Sequence, residues 1–367
     1  MRLLPLLLAS LALAAACGSS GDSGDPSTAS PTATRQAASL LTPQPEVRPI
    51  SFPDDEAPHD NMTEWWYYTG HMFDGDGNRY GFEFVVFQVQ RGNFPAFYAS
   101  HFAVSDNPSG TFAYDQKSGF DGLVETDRGF HLRLDDWEMQ GFDGNDRLRA
   151  SMDGYEFDLS LSTDRDPVLH NRGTGYMEIA LAGGSYYYSR PGMDLDGTLV
   201  VNGELLDVSG SAWMDHQWGD FVLVDGGGWD WFAVELEDGT ALMMFELRGI
   251  EDIGDIPDFG TLVLPDGSTV HLAEDDYTIE ATDSWTSEAT GATYPIDWRV
   301  EIPGKDLTLE LVSSMPDQEL DTMASTGTIY WEGEVVVTAE RNGIDLTGLG
   351  YVELTGYGES DALNPGR

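Results

Sequence analysis

Ten consecutive residues, Ala212–Phe221, hold a dense group of side chains that could do chemistry. They combine three groups able to exchange protons, Asp215, His216 and Asp220, with three aromatic rings. A surface loop rarely carries so many large rings, and an ordinary core strand rarely carries adjacent aspartate and histidine. The combination is typical of an apolar pocket wall that holds a few fixed polar groups. The stretch therefore predicts acid–base chemistry in a poorly hydrated site.

The alternation of an extended strand divides this stretch into two faces. His216 and Trp218 share one face, whereas Asp215 and Gln217 share the other. Asp215 and His216 therefore cannot both point into one barrel unless a bulge intervenes. We expect a structural or orienting role for Asp215, although it stays among the catalytic candidates.

Carboxylates on otherwise apolar strand faces are the other candidates. Glu64 shares a face with Trp66 and Tyr68, where it could line a pocket or pin the strand by hydrogen bonds, and we favour pinning. Glu246 lies on an apolar face and is, with Asp230, a candidate for the carboxylate partner of the acid–base site.

Turn signals divide the folded part of the chain into short extended runs. Asn-Gly and Asp-Gly pairs between apolar segments are strong predictors of tight β-hairpins. These pairs are Asn202-Gly203, Asp238-Gly239, Asp266-Gly267 and Asn342-Gly343. No segment shows a sustained helical period with caps. The sequence predicts an all-β fold of antiparallel strands, arranged as a sandwich or barrel.

A weak internal repeat indicates two related β units. An aromatic strand, a hairpin, an apolar strand and an Arg-Gly pair follow one another from Glu64 and again from Trp229. The glycine-rich break near Val224–Gly228 is the expected boundary. We predict domains over residues 49–224 and 225–361, although two hairpins could also resemble each other by chance.

The amino terminus has the features of an export signal. A short apolar run after Arg2 suits a signal peptide better than a membrane span, and small residues precede Cys17, the single cysteine. We predict a lipoprotein signal peptide over residues 1–16, lipidation of Cys17 and a flexible tether over residues 17–48. The expected location is the cell envelope, on a membrane; an ordinary cleaved signal and a secreted or periplasmic soluble protein is the alternative.

The charge and the motif content exclude several classes of function. The net charge of −46 arises from 64 acidic and 18 basic residues, a balance that rejects nucleic acid and anionic lipid. Dispersed acidic residues with scarce lysine favour a halophilic or marine source. One cysteine allows neither an internal disulfide nor a thiolate zinc site, and the common metalloprotease, phosphate-loop and nucleophile-elbow motifs are absent. We expect no metal, no cofactor and no obligate protein partner.

Aromatic motifs from about Pro53 to Tyr357 resemble those of one family, in the same order. They are Glu64–Tyr67 with Thr69–His71, Ser100–Asp106, Trp213–Gly219, Gly228–Phe232, Tyr330–Gly333 and Gly350–Tyr357. In these motifs the sequence resembles the AttH-like and carotenoid 1,2-hydratase (CrtC-like) proteins, a lipocalin-related group. The resemblance implies two consecutive lipocalin-like antiparallel β-barrel domains with apolar cavities.

The resemblance also implies site residues. The His-x-Trp pair of the hydratases matches His216 and Trp218, which implies an acid–base role for His216 and a cavity-wall role for Trp218. A hydrogen-bonded structural histidine is the alternative. Met244 stands where the hydratases have a tyrosine, which argues against carotenoid hydration itself. The residues expected to line the ligand site are Glu64, Trp66, Tyr68, His101, Trp218, Trp229, Trp231, Met244 and Tyr351.

Two functions follow as hypotheses. The first is an exported, lipid-anchored lipocalin-like protein that binds a small hydrophobic ligand of isoprenoid, lipid or polyketide type. The second is a cofactor-independent hydratase or cyclase, in which a protonated acid in a dry pocket protonates an alkene and water adds to the cation. Aromatic faces could stabilise that cation. The methionine in place of tyrosine and the export signal favour the binding function.

Overall fold

The computed structural model describes residues 47–179, 183–221, 227–248 and 259–358. The predicted signal peptide, Cys17, nearly all of the tether and the expected boundary between the two domains lie outside the described residues. Within the described residues almost all regular structure is β-strand, which confirms the predicted all-β class. No helix in these ranges has the length and apolarity that a membrane crossing requires.

The first sheet contains twelve strands among the described residues. They are β1 (Thr63–Asp74), β2 (Arg79–Val89), β3 (Phe97–Asp106), β4 (Thr111–Gly119), β5 (Phe130–Leu134), β6 (Trp137–Phe142), β7 (Asn145–Met152), β8 (Tyr155–Ser162), β9 (Val168–Leu169), β10 (Tyr176–Ile179), β11 (Gly183–Val201) and β12 (Glu204–Phe221). The order is β4-β3-β2-β1-β12-β11-β8-β7-β6-β5, with β9 and β10 also paired to β11. The end strands β4 and β5 follow each other in the chain and touch, so the sheet curls into barrel 1.

The second sheet contains ten strands within the described ranges. They are β13 (Gly228–Leu236), β14 (Ala241–Arg248), β15 (Phe259–Val263), β16 (Thr269–Ala273), β17 (Thr278–Thr286), β18 (Thr293–Ile302), β19 (Leu307–Ser313), β20 (Glu319–Asp321), β21 (Ile329–Arg341) and β22 (Ile344–Thr355). The order is β16-β15-β14-β13-β22-β21-β19-β18-β17, with β20 beside β21, and this sheet forms barrel 2. Short helical turns occur at Asp54–Glu56, His170–Gly173, Glu274–Asp276 and Pro303–Lys305.

The predicted hairpins are confirmed. Asn202-Gly203 joins β11 to β12, and Asn342-Gly343 joins β21 to β22. All four residues adopt positive φ, as the tight hairpin turn requires, and glycine and asparagine tolerate this conformation best. The Asp-Gly pairs join β13 to β14 and β15 to β16.

The two barrels share a plan. In each, the first strand pairs with the second strand and also with the last: β1 with β2 and β12, and β13 with β14 and β22. Each barrel has its own apolar core. A third buried cluster draws residues from both sheets, and we term this contact region the seam. It includes Tyr67, Tyr187, Trp213, Trp231, Met243 and Tyr351.

The seam explains why the central strands of the two barrels are buried on both sides. Trp66 on β1 points into barrel 1, whereas its neighbour Tyr67 points to barrel 2. On β22, Val352 points into barrel 2 and Tyr351 points to barrel 1. Each central strand therefore offers one inner and one outer buried face, and either face could hold a site.

Candidate functional site

His216 points into barrel 1 and is fully buried. Its Nε2 lies 2.8 Å from Glu64 Oε1, and its Nδ1 lies 3.2 Å from the Tyr188 hydroxyl. His59, from the segment that precedes β1, places its Nδ1 2.8 Å from the same Glu64 oxygen. We term His59, Glu64, Tyr188 and His216 the histidine cluster.

Both oxygens of Glu64 are occupied. Oε2 accepts hydrogen bonds from the His59 backbone N–H at 2.8 Å and from Gln88 Nε2 at 3.3 Å. Glu64 thus joins β1 to β2, to β12 and to the preceding segment. Burial lowers the pKa of His216, although the hydrogen bond with Glu64 opposes this shift. A neutral imidazole is a poor proton donor, which weakens the expected acid role of His216.

Aromatic rings enclose the histidine cluster. The Trp66 ring stacks on His216 with centroids 4.7 Å apart, and the Trp218 ring stacks on His59 at 4.2 Å. Tyr68 belongs to the same core, and all three of these expected wall residues are buried in barrel 1. The structure therefore brings Glu64, three rings and His216 together from separate parts of the sequence.

Asp215 lies on the opposite face of β12, in the seam. It accepts hydrogen bonds from the Tyr187 hydroxyl at 2.5 Å, from Trp213 Nε1 at 2.6 Å and from the Ser189 hydroxyl. Burial raises the pKa of Asp215 to about 7, against the opposing effect of these hydrogen bonds. Three donors hold the carboxyl group in one position, a geometry suited to orienting neighbours.

Three glutamates meet in the seam: Glu83 on β2, Glu332 on β21 and Glu353 on β22. Glu332 and Glu353 are direct cross-strand partners. Glu83 comes from barrel 1 and interacts electrostatically with both of them. Glu83 and Glu332 are fully buried, whereas Glu353 keeps part of its surface accessible. We term these three residues the carboxyl cluster.

Burial and mutual repulsion favour the protonated form of the carboxyl cluster. Burial raises the pKa of Glu83 and of Glu332 well above the ordinary value, and neighbouring carboxyl groups raise both further. Burial raises the pKa of Glu353 to about 7, against a hydrogen bond from Trp229. One oxygen of Glu83 and one of Glu332 have no hydrogen-bond partner among the described residues. Because such oxygens are costly to bury, they are typical of sites that receive water or a ligand.

Phenol groups complete the carboxyl cluster. The Tyr67 hydroxyl donates to Glu332 Oε1 at 2.8 Å, across the seam. The Tyr330 hydroxyl lies 3.2 Å from Glu83 Oε1 and 2.7 Å from His101 Nδ1. Burial lowers the pKa of His101 to about 3, so this ring is neutral. His101, expected to line a barrel cavity, therefore lies in the seam and positions Tyr330.

The expected carboxylate partners of His216 need correction. The structure brings neither Asp230 nor Glu246 to His216; Glu64 occupies that place. Asp230 instead forms an ion pair with Arg248 at 2.8 Å, within the second sheet. Glu246 is partly buried on β14, in register with Asp230. Both carboxylates belong to barrel 2, because β13 and β14 begin the second sheet.

Four other expected ligand residues also lie away from His216. Met244 packs in the core of barrel 2. Trp229, Trp231 and Tyr351 belong to the seam, because barrel 1 covers the outer faces of β13 and β22. Tyr351 reaches β2 beside Gly81, where any Cβ would overlap its hydroxyl. Trp229, Trp231 and Tyr351 lie near the carboxyl cluster rather than in a cavity of barrel 2.

The sequence interpretation missed Glu83 and Glu332. Glu83 interrupts the apolar run Tyr80–Gln90, and β2 is buried on both faces around it. Glu332 lies within the aromatic motif Tyr330–Gly333. An acidic residue in the middle of an otherwise apolar strand was the available signal, since such a residue is rarely buried without a partner or a task.

The described residues form a small cavity in the seam and a larger groove on barrel 1. A cavity of about 10 Å³ lies in the seam, lined by His71, Trp213 and Tyr351 among others, and has room for about one water molecule. A groove of about 480 Å³ lies on barrel 1 and is lined mainly by polar side chains such as Arg128. His216 lines neither of them.

Comparison with known proteins decides the family. The sequence profile of AttH-like proteins matches residues 43–357. The chain belongs to the AttH-like family. A solved structure from Nitrosomonas europaea, assigned to AttH, is 33% identical, covers 84% of this chain and 98% of its own, and superposes with a TM-score of 0.74. The predicted pair of lipocalin-like barrels is confirmed.

More distant relatives have names of enzymes that add or remove water. Dehydratase asqC of Emericella nidulans is 26% identical over 245 residues, which cover 61% of this chain and 67% of that protein. Kievitone hydratase of Fusarium solani subsp. phaseoli is 23% identical over 262 residues, covering 70% and 69%. The solved kievitone hydratase of Nectria haematococca, 17% identical with a TM-score of 0.68, covers 84% of this chain and 93% of its own and supports the fold alone.

Proposed function

We propose that this AttH-like protein adds water to, or removes water from, an apolar organic ligand bound in the seam. The observation that carries the proposal is the carboxyl cluster, in which Glu83 Oε2 and Glu332 Oε2 are buried and find no hydrogen-bond partner in the part of the chain that the structure describes. A carboxyl group that stays protonated near neutral pH can donate a proton to a weakly basic carbon. The hydratase and dehydratase among the relatives support the same reaction class.

The reaction can be assigned to individual residues. In the hydration direction, Glu353 transfers its proton to one alkene carbon, and a carbocation forms at the neighbouring carbon. Water adds to that carbon through its oxygen and gives its extra proton to the carboxylate of Glu353, which restores the acid, while Glu332 positions the water. Dehydration runs through the same steps in reverse. Glu353 is assigned as the donor because it is the partly accessible member of the cluster, and Tyr67 orients Glu332 by its hydrogen bond.

The surroundings suit a cationic intermediate. Partly buried rings of Trp65, Phe87, Trp229 and Phe245 pack against the seam cluster. Aromatic faces stabilise a cation without forming a bond to it, and they also provide an apolar surface for the ligand.

The test is direct. The purified chain is incubated with a panel of prenylated phenols, including kievitone, and of polyene hydrocarbons, and the products are checked for the mass of one added or lost water. We expect conversion by the wild type and a loss of about 1,000-fold in kcat/KM for Glu353→Gln. Glu310→Gln, at a partly exposed ion pair of barrel 2, is the matched control and should keep full activity.

Two outcomes would contradict the assignment. Full activity of Glu353→Gln would remove the carboxyl cluster from the mechanism. Loss of activity in His216→Gln, together with full activity of Glu353→Gln, would return the reaction to barrel 1. A folded variant is required in each case, which circular dichroism establishes.

Ligand binding without turnover is the second candidate function. The ring-lined seam supports it, because Trp65, Phe87, Trp229 and Phe245 present partly buried apolar surface. Native mass spectrometry of the purified protein should then show a co-purified apolar ligand, which Trp229→Ala weakens, and the substrate panel should show no conversion. An empty protein that binds no member of the panel would contradict both functions.

We also propose that the protein is exported and anchored to a membrane through lipidated Cys17. The apolar run that precedes Cys17 and the polar tether that follows it support this location. Labelling of cells with radioactive palmitate should mark the wild type, and Cys17→Ala should abolish the label and release the protein from the membrane fraction. A label that persists in Cys17→Ala would contradict the anchor.

A further inference from the structure

The histidine cluster contains a combination of donors that the proposed reaction does not use. One ligand atom each of His59, Glu64 and His216 lies within 4.8 Å of the other two. Glu64 Oε1 already lies 2.8 Å from a ring nitrogen of each histidine. The three residues come from the segment before β1, from β1 and from β12, so the fold itself assembles them.

We propose that His59, Glu64 and His216 form a binding site for a divalent transition-metal ion, with zinc as the best match. Two imidazole nitrogens and one carboxylate oxygen are a ligand set that zinc uses in proteins, with a fourth position open to water. Glu64 and His216 are fully buried, and the His59 side chain is 13% exposed, which leaves a route for the ion from the solvent.

The outer contacts of the three residues support a metal site. The second nitrogen of each ligating histidine in a metal site usually faces a hydrogen-bonding partner that fixes the ring. Here His59 Nε2 lies 3.3 Å from Asp55 Oδ1, and His216 Nδ1 lies 3.2 Å from the Tyr188 hydroxyl. These contacts hold each ring with its other nitrogen facing Glu64 Oε1.

The glutamate is oriented in the same way. Glu64 Oε2 accepts two hydrogen bonds, from the His59 backbone and from Gln88, which leaves Oε1 toward the two imidazoles. Asp55, behind His59, is itself held by Arg48 through two hydrogen bonds of 2.5 and 2.6 Å. The proposed ligands are thus held in place by further hydrogen-bonding residues, as ligands in metal sites usually are.

Aromatic rings enclose the three ligands. The Trp66 ring stacks on His216 and the Trp218 ring stacks on His59. Because His59 lies outside the two sheets, a bound ion would tie residues 47–62 to the end of barrel 1. The ion would thus cross-link this segment to barrel 1.

The experiment uses the full chain, stripped with chelator, dialysed and titrated with zinc alone in high salt. High salt suppresses weak binding to the acidic surface. We expect one zinc per chain by elemental analysis, a rise in melting temperature on loading, and an affinity at least about 100-fold lower for His59→Ala and Glu64→Gln. Cobalt in place of zinc should give a visible ligand-field spectrum that His59→Ala loses.

His131→Ala is the matched control, since His131 pairs with Glu138 on the wall of barrel 1 and should leave zinc binding unchanged. His59 lies outside both sheets, so loss of zinc in a folded His59→Ala protein supports the site. Absence of stoichiometric zinc in the wild type, or equal zinc affinity in wild type and His59→Ala, would overturn it. The histidine cluster would then be a hydrogen-bond network alone.

Discussion

The histidine cluster inside barrel 1 and the carboxyl cluster in the seam differ in how their polar groups are satisfied. In the histidine cluster, both ring nitrogens of His216 and both oxygens of Glu64 have partners within hydrogen-bond distance. In the carboxyl cluster, one oxygen of Glu83 and one of Glu332 have none among the described residues. The four residues compared, His216, Glu64, Glu83 and Glu332, are all fully buried, so exposure does not explain the difference.

The comparison separates two uses of buried polarity. A fully paired network stabilises one arrangement of a core, because every desolvated group regains a hydrogen bond. A partly paired group of carboxyls costs stability and persists where it serves a ligand or a reaction. The residue types alone would favour the histidine cluster as the acid–base site, whereas the hydrogen-bond pattern favours the carboxyl cluster.

The same substitution at the two clusters should have different effects on stability. In metal-free buffer near neutral pH, Glu64→Gln should lower the free energy of unfolding by about 3 kcal/mol, because an amide cannot accept all the hydrogen bonds that the carboxylate receives. Glu332→Gln should change the free energy of unfolding by less than about 1 kcal/mol. The substitution puts a neutral amide in place of a carboxyl group that has only one of its oxygens hydrogen-bonded among the described residues. Urea unfolding measures both, and equal losses would erase the distinction between the clusters.

The pH dependence of stability should distinguish Glu353. The pKa of Glu353 in the folded protein is about 7, above the ordinary value of 4.5. The contribution of Glu353 to the free energy of unfolding is therefore complete below about pH 4.5 and is lost as the pH rises through about 7. Relative to Glu353→Gln, the wild type should lose about 2 kcal/mol between about pH 5 and about pH 8. Parallel stability curves for the two proteins would show that Glu353 titrates normally. Glu310→Gln should run parallel to the wild type.

A single hydrogen bond across the seam should give the smallest effect. Tyr67→Phe removes the donor to Glu332 Oε1 and should cost about 1 kcal/mol of stability, as a typical hydrogen bond does. It should also lower kcat/KM, because Glu332 loses its orientation. Tyr114→Phe, at an exposed ring on β4, is the control for both measurements. A loss of stability with unchanged kcat/KM would make Tyr67 purely structural.

Local patterns determined much of the fold. The Asn-Gly and Asp-Gly pairs placed hairpins where the structure has them, because their backbone preferences act over a few residues. The alternation of β12 separated His216 from Asp215, and the structure places them inside barrel 1 and in the seam. The aromatic motifs indicated the AttH-like family, and the family in turn implied two barrels.

The partners of the site residues could not be predicted in this way. The predicted domain boundary already put Asp230 and Glu246 in the second unit, but nothing in their spacing shows whether they reach His216. Glu64 was assigned to pinning or to a pocket, but its contact with His216 joins residues 152 positions apart. Such pairings depend on strand order, which turn chemistry does not encode.

The sequence by itself determined the strands, their turns and which side chains share a face, because these depend on neighbours along the chain. Only the tertiary structure decided that the outer faces of β2, β21 and β22 meet. An outward glutamate on an isolated barrel would be solvated and ordinary. Docking of barrel 2 on barrel 1 removes the water, brings Tyr67 to Glu332 across 265 residues and raises the pKa values of three carboxyl groups together.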